Sequence, residues 1–512
     1  MRIFGFMRSP ARPVWNVLGL AFLAGCGIGL GQVPVSLWPV AILALGLLLR
    51  FLSRQRPAHV AWAAFMAGVG HTCVTMYWIT EPFFVEPEVF GWMAPFALAL
   101  MGAGFGAFWA AGAGLGARLG HGPVTRALGI ALGLGLTDAI RSYAFTGFPW
   151  VLFGHIWIGT PVAQLASLTG QLGLSCVTLL LAVTLSFPGR KGGLGAGLCL
   201  WLGAAAIWGW GQARLATPVD YPARPAEIRI VQPNAEQKLK WLPKYRALFF
   251  QRLLDESSAP AKTPLDLIVW PETSVPFLLN WPGDGLEMVA QSGKGVPIAL
   301  GIQRSDGDRY YNSLAVLDGQ ARITALYDKV HLVPFGEYIP FGDALAKLGI
   351  SAFAAQEGNG YSAGRAETVL DLGPAGQVQP LICYEAVFPQ DIRHAPERPD
   401  WIMQITNDAW FGQLSGPRQH LSLSQMRAIE FGLPVVRAAN TGISGLIDPY
   451  GRLRERIGMN REGHLDVAVP KALPVTVYAR LGDWPSITAM LVALLLLRGF
   501  GLIIVDRPRA EV

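Results

Sequence analysis

Charged residues are scarce in this sequence. Only 15% of its 512 residues are Asp, Glu, Lys or Arg, whereas soluble proteins carry about 25%. The shortage lies in residues 14–212 and 484–505, and the region between them has the composition of an ordinary globular domain. This pattern excludes a chain that is soluble throughout, and it separates two apolar parts from one polar part.

Cysteine is scarce as well. The chain has five cysteines, and four of them lie in the apolar parts: Cys26, Cys73, Cys176 and Cys199. Cys383 is the one cysteine in the polar part, within the sequence Pro-Leu-Ile-Cys-Tyr-Glu. It has no local partner for a disulfide, it ends a run typical of a strand, and a carboxylate follows it. That is where a nucleophile would lie, although a buried structural thiol is the alternative.

Long apolar runs are what the chain has in excess. A membrane-crossing helix needs about 20 mostly apolar residues. About eight stretches qualify: 15–32, 35–52, 59–79, 91–117, 124–140, 161–187, 193–210 and 484–505. The sequence therefore predicts about eight membrane-spanning helices.

The loops between these stretches differ in charge. Basic residues concentrate at the two ends of the chain and in every second loop: Arg2, Arg8, Arg12, Arg50, Arg54, Arg56, Arg118, Arg126, Arg190, Lys191, Arg507 and Arg509. Because positively charged loops stay in the cytoplasm, both termini are predicted to be cytoplasmic and residues 213–483 to lie outside. The net charge of +6 follows mostly from this bias, so it does not indicate nucleic-acid binding.

The polar part alternates short β-rich runs with helix-compatible stretches over residues 225–470. This alternation predicts a layered α/β domain. Polar side chains follow several strand candidates directly, and among them are Glu272, Lys329 and Cys383. Ligand sites in α/β sheets form at such strand ends.

A glutamate, a lysine and a cysteine are chemically sufficient for acyl transfer. Glu272 can take the thiol proton and later activate a second nucleophile. Lys329 can lower the thiol pKa and stabilise an oxyanion, and Cys383 can form a thioester. Taken singly, Glu272 could instead cap a turn, and Lys329 could be a solvated surface charge.

Two histidines, His331 and His420, lie near these residues in the sequence. They lack the ligand spacing of a zinc site. We therefore expect them to have structural or hydrogen-bonding roles, and we expect neither a metal nor a cofactor.

The segments around Glu272, Lys329 and Cys383, in this order, resemble the nitrilase superfamily, whose members use a Glu-Lys-Cys triad. The similarity extends to the apolipoprotein N-acyltransferase family and covers essentially the whole chain. The segments that carry it are 145–150 (Phe-Thr-Gly-Phe-Pro-Trp), 231–234 (Val-Gln-Pro-Asn), 329–340, 382–385 (Ile-Cys-Tyr-Glu) and 407–412 (Asn-Asp-Ala-Trp-Phe-Gly).

The resemblance implies a multi-pass α-helical membrane domain of about eight spans and an α/β nitrilase-like domain, an αββα sandwich, outside the membrane. It makes Glu272 the general base, Lys329 the stabiliser of oxyanion and thiolate, and Cys383 the acylated nucleophile. The other positions that it marks are the supporting carboxylates Glu337 and Glu385 and the substrate-binding residues Trp241, Pro340, Tyr384 and Phe411.

The expected domain boundaries follow from the spans and the polar part. Transmembrane helices one to seven occupy residues 1–212, and helix eight with a cytoplasmic tail occupies 484–512. Between them, linkers at 213–224 and 471–483 flank the extracytoplasmic catalytic domain at 225–470.

The resemblance also implies a reaction. An acyl chain would pass from a membrane phospholipid, through a thioester on Cys383, to the α-amine of the N-terminal diacylglyceryl-cysteine of apolipoproteins, the final step of lipoprotein maturation. We expect a monomer in the bacterial inner membrane, with the catalytic domain in the periplasm and no nucleic-acid partner. One alternative is a membrane-tethered nitrilase-type amidase that hydrolyses small amides. Another is a transporter or scaffold with an outer binding domain, which predicts a dispensable Cys383.

Two smaller features have alternative interpretations. The apolar segments Phe277–Trp281 and Leu345–Phe353 either face the bilayer and gate the acyl chains or pack as satellites of the core. Asp138 and Arg141, at the outer end of the fifth span, either meet a phospholipid head group or pair with each other.

Overall fold

The described chain consists of a helical bundle and an α/β domain. The structure is a computed structural model, and it describes residues 15–187, 191–340, 360–366 and 368–505. The apolar segment Leu345–Phe353 and six of the basic residues that set the predicted orientation lie outside the described residues: Arg2, Arg8, Arg12, Arg190, Arg507 and Arg509.

Each of the eight apolar stretches of the sequence forms a helix. The helices of the bundle are α1 (Trp15–Gly29), α2 (Trp38–Leu52), α3 (Pro57–Thr75), the short α4 (Pro87–Phe90), α5 (Ala94–Leu119), α6 (Pro123–Tyr143), α7 (Ala166–Leu185), α8 (Lys191–Ala216) and, near the end of the chain, α14 (Trp484–Val505).

Fewer of these helices satisfy the length and composition of a membrane span. Within the described chain, three helical stretches are long and apolar enough to cross a membrane: Pro87–Leu119, Pro123–Thr146 and Pro161–Leu185. Helices α1 and α2 have 15 residues each, whereas a full crossing needs about 20. The predicted number of eight crossings is therefore not confirmed, although all eight helices are present.

Small residues let the helices of the bundle approach closely. A Cβ atom on Gly116 of α5 would lie 2.0 Å from the carbonyl oxygen of Gly129 on α6, and one on Gly133 would lie 2.1 Å from that of Gly112. The two backbones are thus in contact along this seam, which is the packing that glycine-rich membrane helices favour.

The α/β domain contains two six-stranded sheets. The strands of the first sheet, in spatial order, are β12 (Gly463–Ala468), β1 (Glu227–Gln232), β2 (Leu267–Val269), β3 (Ile298–Asp306), β4 (Arg309–Leu317) and β5 (Ile323–Asp328). Those of the second are β11 (Leu453–Ile457), β10 (Ser444–Ile447), β9 (Val435–Ala439), β8 (Trp401–Thr406), β7 (Gln377–Ile382) and β6 (Leu370–Asp371). Strands β1–β3 of the first sheet are parallel to one another, and so are strands β7–β9 of the second. The strands that flank each set are antiparallel to it.

Alternating side chains give each sheet two apolar faces. Ile228 and Ile230 of β1 share one buried cluster with Val436 of β9, so the two sheets pack face to face. The opposite face of the first sheet packs on α9 (Pro243–Ser258) and α10 (Gly285–Ser292). That of the second sheet packs on α11 (Pro389–Arg393) and α12 (Gly416–Phe431), with the short α13 (Val477–Leu481) beside them. This is the predicted αββα sandwich.

Three strands were not predicted from the sequence: β6, β11 and β12. Each lies at an edge of its sheet. An edge strand is partly solvated, and β11 (Leu-Arg-Glu-Arg-Ile) accordingly has three exposed polar residues in its middle. The apolar content that identifies a central strand is therefore missing from it.

Helix α12 joins the sandwich to the helical bundle. One of its faces packs on the second sheet, and Met426 and Ile429 on another face belong to the core of the bundle. The carboxylate of Glu430 accepts a hydrogen bond from the backbone N–H of Gln171 at 2.9 Å. The two parts of the chain therefore share a buried interface.

Arg229 on β1 provides a test of what holds the first sheet together. Its Nε and Nη2 atoms donate to Asp466 on β12 at 2.7 and 2.8 Å, and its Nη1 donates to the carbonyl oxygen of Ser257 in α9 at 3.0 Å. We expect Arg229→Met to lower the free energy of unfolding by about 3 kcal/mol, because it leaves buried acceptors without a donor.

The matched control is Arg224→Met. Arg224 pairs with Asp266, but its side chain is 77% exposed, so its loss should cost less than about 1 kcal/mol. Melting temperatures of the purified variants measure both effects. Equal decreases in the two variants would contradict the importance assigned to Arg229.

Candidate active site

The three predicted catalytic residues come together at the carboxyl ends of the strands. Glu272 follows β2, Lys329 directly follows β5, and Cys383 directly follows β7. All three are buried, with exposed fractions of 6%, 1% and 6%. Because strand ends of the two facing sheets meet at this edge, residues far apart in the sequence form one site.

A network of polar groups fixes Glu272 and Lys329. Lys329 Nζ lies 2.9 and 2.8 Å from the two carboxylate oxygens of Glu337 and 3.7 Å from Glu272 Oε1. Asn312 Nδ2 donates to Glu272 at 2.7 Å and to Glu337 at 3.0 Å. The backbone N–H of Asn407 donates to the other oxygen of Glu272 at 2.8 Å. The structure thus places Glu337 in direct contact with Lys329, and its role as a supporting carboxylate stays a prediction.

Burial and charge act on Lys329 in opposite directions. Burial alone would lower the pKa of Lys329, but the charges of Glu337 and Glu272 beside it raise the pKa well above its ordinary value. The ammonium form is therefore fixed, which is the form that can stabilise a developing oxyanion.

Cys383 is a neutral thiol in the resting site. Burial and the neighbouring charge of Glu272 raise its pKa well above the ordinary value, and Lys329 only partly opposes them. Lys329 does lower the pKa of the thiol, as expected from the sequence, but burial and Glu272 outweigh it. A base must remove the proton as the thiol attacks, and Glu272 is the carboxylate whose charge acts on it.

The backbone at Cys383 is strained, with φ of 53°. Non-glycine residues in this left-handed region cost about 1–3 kcal/mol and concentrate at functional sites. The carbonyl oxygen of Cys383 lies 3.0 Å from His420 Nε2, and His420 Nδ1 lies 2.8 Å from Asp408 Oδ1. Asp408 in turn accepts from Arg437 Nη2 at 2.9 Å. These buried contacts hold the turn that carries Cys383.

Glu385 organises the loop that carries Lys329. Its carboxylate accepts hydrogen bonds from the Tyr327 hydroxyl at 2.8 Å and from the backbone N–H groups of Val330, His331 and Ile382 at 2.7, 3.2 and 2.6 Å. The second predicted supporting carboxylate thus acts on the backbone around the site.

The predicted substrate-binding residues lie in different surroundings. The Tyr384 hydroxyl donates to the Gly147 carbonyl oxygen at 3.2 Å, and the Phe411 ring lies 4.9 Å from that of Trp78. Both therefore face the helical bundle. Trp241 instead lines a small cavity at the ends of β1 and β2, and Pro340 is half-buried at the end of the segment that carries Lys329.

The segment 145–150 connects this edge of the sandwich to the bundle. Arg141 Nη1 donates to the carbonyl oxygens of Phe148 and Trp150 at 2.8 and 2.7 Å, and its Nη2 donates to Asp138 at 3.2 Å. Both charged residues are buried. Asp138 and Arg141 thus form the mutual ion pair and shape the segment that contacts Tyr384.

The histidines have hydrogen-bonding roles, as the sequence predicts. His331 stacks on Phe388 with ring centroids 3.6 Å apart, and its Nδ1 lies 3.2 Å from Asp391. Within the described residues, no group of three or more His, Cys, Asp and Glu side chains is placed to hold a metal ion.

Sequence comparisons agree with this architecture. Residues 228–473 match the carbon-nitrogen hydrolase family, and residues 24–184 match the apolipoprotein N-acyltransferase N-terminal domain. The chain is 36% identical to the apolipoprotein N-acyltransferase of Bradyrhizobium diazoefficiens, over 94% of each chain. It is 34% identical to that of Caulobacter vibrioides, over 96% of each chain.

The chain belongs to the apolipoprotein N-acyltransferase family. It is therefore an acyltransferase with a nitrilase-like α/β domain, and its apolar helices are consistent with a bacterial membrane protein. Among solved structures, an amidase from Nesterenkonia sp. resembles 53% of this chain and 98% of its own, with 16% identity and a TM-score of 0.37. The full-length match to apolipoprotein N-acyltransferases favours that activity over the amidase alternative.

Asn312 is the residue that sequence reasoning missed. The signal was a lone amide in the apolar strand β4 (Arg-Tyr-Tyr-Asn-Ser-Leu-Ala-Val-Leu).

We expect Asn312→Ala to slow acyl transfer at least about tenfold, because Glu272 and Glu337 each lose a charge-assisted hydrogen bond. The control Asn280→Ala removes an amide whose Oδ1 accepts a hydrogen bond from the Ser305 backbone N–H at 2.8 Å, and it should keep the wild-type rate. Equal rates in the two variants would contradict this role.

Glu385 should give the reaction a pH dependence near neutrality. Burial raises the pKa of Glu385 to about 7, and a protonated carboxyl accepts fewer of the hydrogen bonds that fix the loop of Lys329. The rate should therefore fall as the pH decreases through 7. Glu385→Gln should be slow at every pH and lack this decrease, whereas Glu455→Gln, on the exposed edge strand β11, should keep the wild-type profile. A pH–rate profile measures this, and a decrease that persists in Glu385→Gln would assign it to another group.

Proposed function

We propose that the chain transfers an acyl group from a membrane phospholipid to the α-amine of the N-terminal diacylglyceryl-cysteine of an apolipoprotein. The main support is that Glu272, Lys329 and Cys383 lie buried together at an edge of the sandwich that faces the helical bundle. Its chemistry suits thioester formation, and its position suits substrates that are anchored in a membrane.

In the first step, Cys383 takes the acyl group. Glu272 removes the Sγ proton as the sulfur attacks the ester carbonyl carbon of the phospholipid. Lys329 stabilises the oxyanion of the tetrahedral intermediate. The ester C–O bond then breaks, and the proton on Glu272 passes to the departing lysophospholipid oxygen.

In the second step, the lipoprotein amine takes the acyl group from the thioester. Glu272 removes a proton from the attacking amine, the C–S bond breaks, and the Cys383 sulfur receives that proton. The products are the N-acylated lipoprotein and the starting enzyme. Water must be excluded while the thioester exists, because hydrolysis would discharge it. The burial of Cys383, Tyr384 and Glu385 supports this exclusion.

The helical bundle contributes to the wall of the site. Gln419 Oε1 on α12 accepts hydrogen bonds from Trp78 Nε1 at 3.0 Å and from Trp150 Nε1 at 2.8 Å. The Trp150 ring lies 5.7 Å from that of His420, which supports the nucleophile. We propose that these apolar rings, together with Tyr384, flank the acyl chain as it reaches Cys383.

The proposed topology has eight crossings with both termini in the cytoplasm and the sandwich in the periplasm. The helices at all eight apolar stretches support it. The boundaries at 1–212, 213–224, 225–470, 471–483 and 484–512, the monomeric state and the catalytic roles of the triad belong to this proposal.

Each of the two interpretations of the apolar segment Phe277–Trp281 applies to some of its residues. Phe277 and Leu279 pack against the core of the first sheet, which supports a structural role for them. Trp281 has an exposed fraction of 68%, so it is the residue of this segment that we propose to enter the bilayer surface.

Mass spectrometry of the intact protein tests the first step. Wild-type protein mixed with phospholipid should gain the mass of one acyl chain, and Cys383→Ala should gain none. Cys176→Ala, which removes a cysteine in α7 of the bundle, should still gain it. No adduct on the wild type, or turnover of a water-soluble amide in place of phospholipid, would instead support the amidase alternative.

A further inference from the structure

The cavity beside Trp241 has a wall in common with the catalytic network. Pro271, which lines it, precedes Glu272, and Asn440, which also lines it, donates to Asn407 Oδ1 at 2.8 Å. The backbone N–H of Asn407 is the group that bonds Glu272. A ligand in this cavity would therefore lie next to the base of the proposed reaction.

Lys240 is a buried cation in this cavity without an anion. Its exposed fraction is 5%, and its Nζ has no hydrogen-bond partner among the described residues. The ammonium lies 5.1 Å from the centroid of the Trp241 ring, a contact that leaves its N–H donors unused. A buried ammonium in such surroundings is costly until an acceptor binds it.

The charges around the cavity indicate the kind of ligand. Lys240 and Arg246 are both among its lining residues, and no described lining residue is acidic. Burial lowers the pKa of Lys240 to about 8, and the charge of Glu272 only partly opposes this. The two residues interact without forming an ion pair. The site is therefore suited to an anion that approaches close to Glu272.

Of the two proposed substrates, the phospholipid is the one with a fixed anion near its reacting ester. Its phosphodiester is separated from the acyl ester by the glycerol backbone alone. The acceptor instead presents an amine at the reacting position. When that amine is protonated, the positive charge of Lys240 repels it. Lys240 thus matches the donor and not the acceptor.

We propose that Lys240 binds the phosphodiester of the acyl donor while the ester of that donor lies at Cys383. This inference rests on the proposed function. It makes Lys240 a specificity-determining residue of the first step, which selects phospholipids over other esters.

The test compares two acyl donors in detergent micelles: phosphatidylethanolamine and the p-nitrophenyl ester of the same fatty acid, which has no phosphate. Lys240→Met keeps an unbranched side chain of similar length and removes its charge. It should slow adduct formation from phosphatidylethanolamine about ten- to hundredfold, the effect of one charge-assisted hydrogen bond, and leave the rate with the p-nitrophenyl ester unchanged.

Lys238→Met is the matched control, because Lys238 is exposed in the same segment. It should leave both rates unchanged, which separates a bound phosphate from a general attraction to lipid. Equal slowing of both donors by Lys240→Met, or no slowing of either, would overturn the inference while the proposed function stands. A wild-type protein that forms an adduct with neither donor would overturn the proposed function and this inference with it.

Discussion

The buried ammonium of Lys329 is the interaction on which the site depends. A cation with an exposed fraction of 1% needs carboxylates in direct contact, and Glu337 supplies two oxygens within 2.9 Å. Asn312 links that carboxylate to Glu272. Because removing any of these groups would leave another buried polar group without a partner, Glu272 and Lys329 are fixed relative to each other before a substrate binds.

Cys383, the proposed nucleophile, depends on a second set of contacts, and these connect it to the bundle. The strained turn at Cys383 is held through His420, which α12 carries. The same helix packs Met426 and Ile429 into the bundle and bonds Trp78 and Trp150 through Gln419. A shift of the bundle against the sandwich would therefore act directly on Cys383. This arrangement gives a physical reason for one chain to contain both parts.

Much of the fold and the three central site residues could be predicted from the sequence. The apolar stretches predicted helices, because long runs of this composition are stable as helices. The central strands could be recognised as apolar runs, because both faces of each sheet are covered. The edge strands β6, β11 and β12 could not be identified, since solvation removes their apolar pattern. The predicted number of membrane crossings is not confirmed either, since α1 and α2, for example, are shorter than the apolar stretches that contain them.

The sequence by itself determined the chemistry: a lone cysteine in a polar region, with a glutamate and a lysine that each follow a strand. Only the tertiary structure decided how those groups behave. It made Cys383 a neutral thiol through burial beside Glu272, turned Asp138 and Arg141 into a mutual ion pair, and gave Lys240 Nζ no hydrogen-bond partner among the described residues. These outcomes depend on distances and on the exclusion of water, which arise when segments distant in the sequence come into contact.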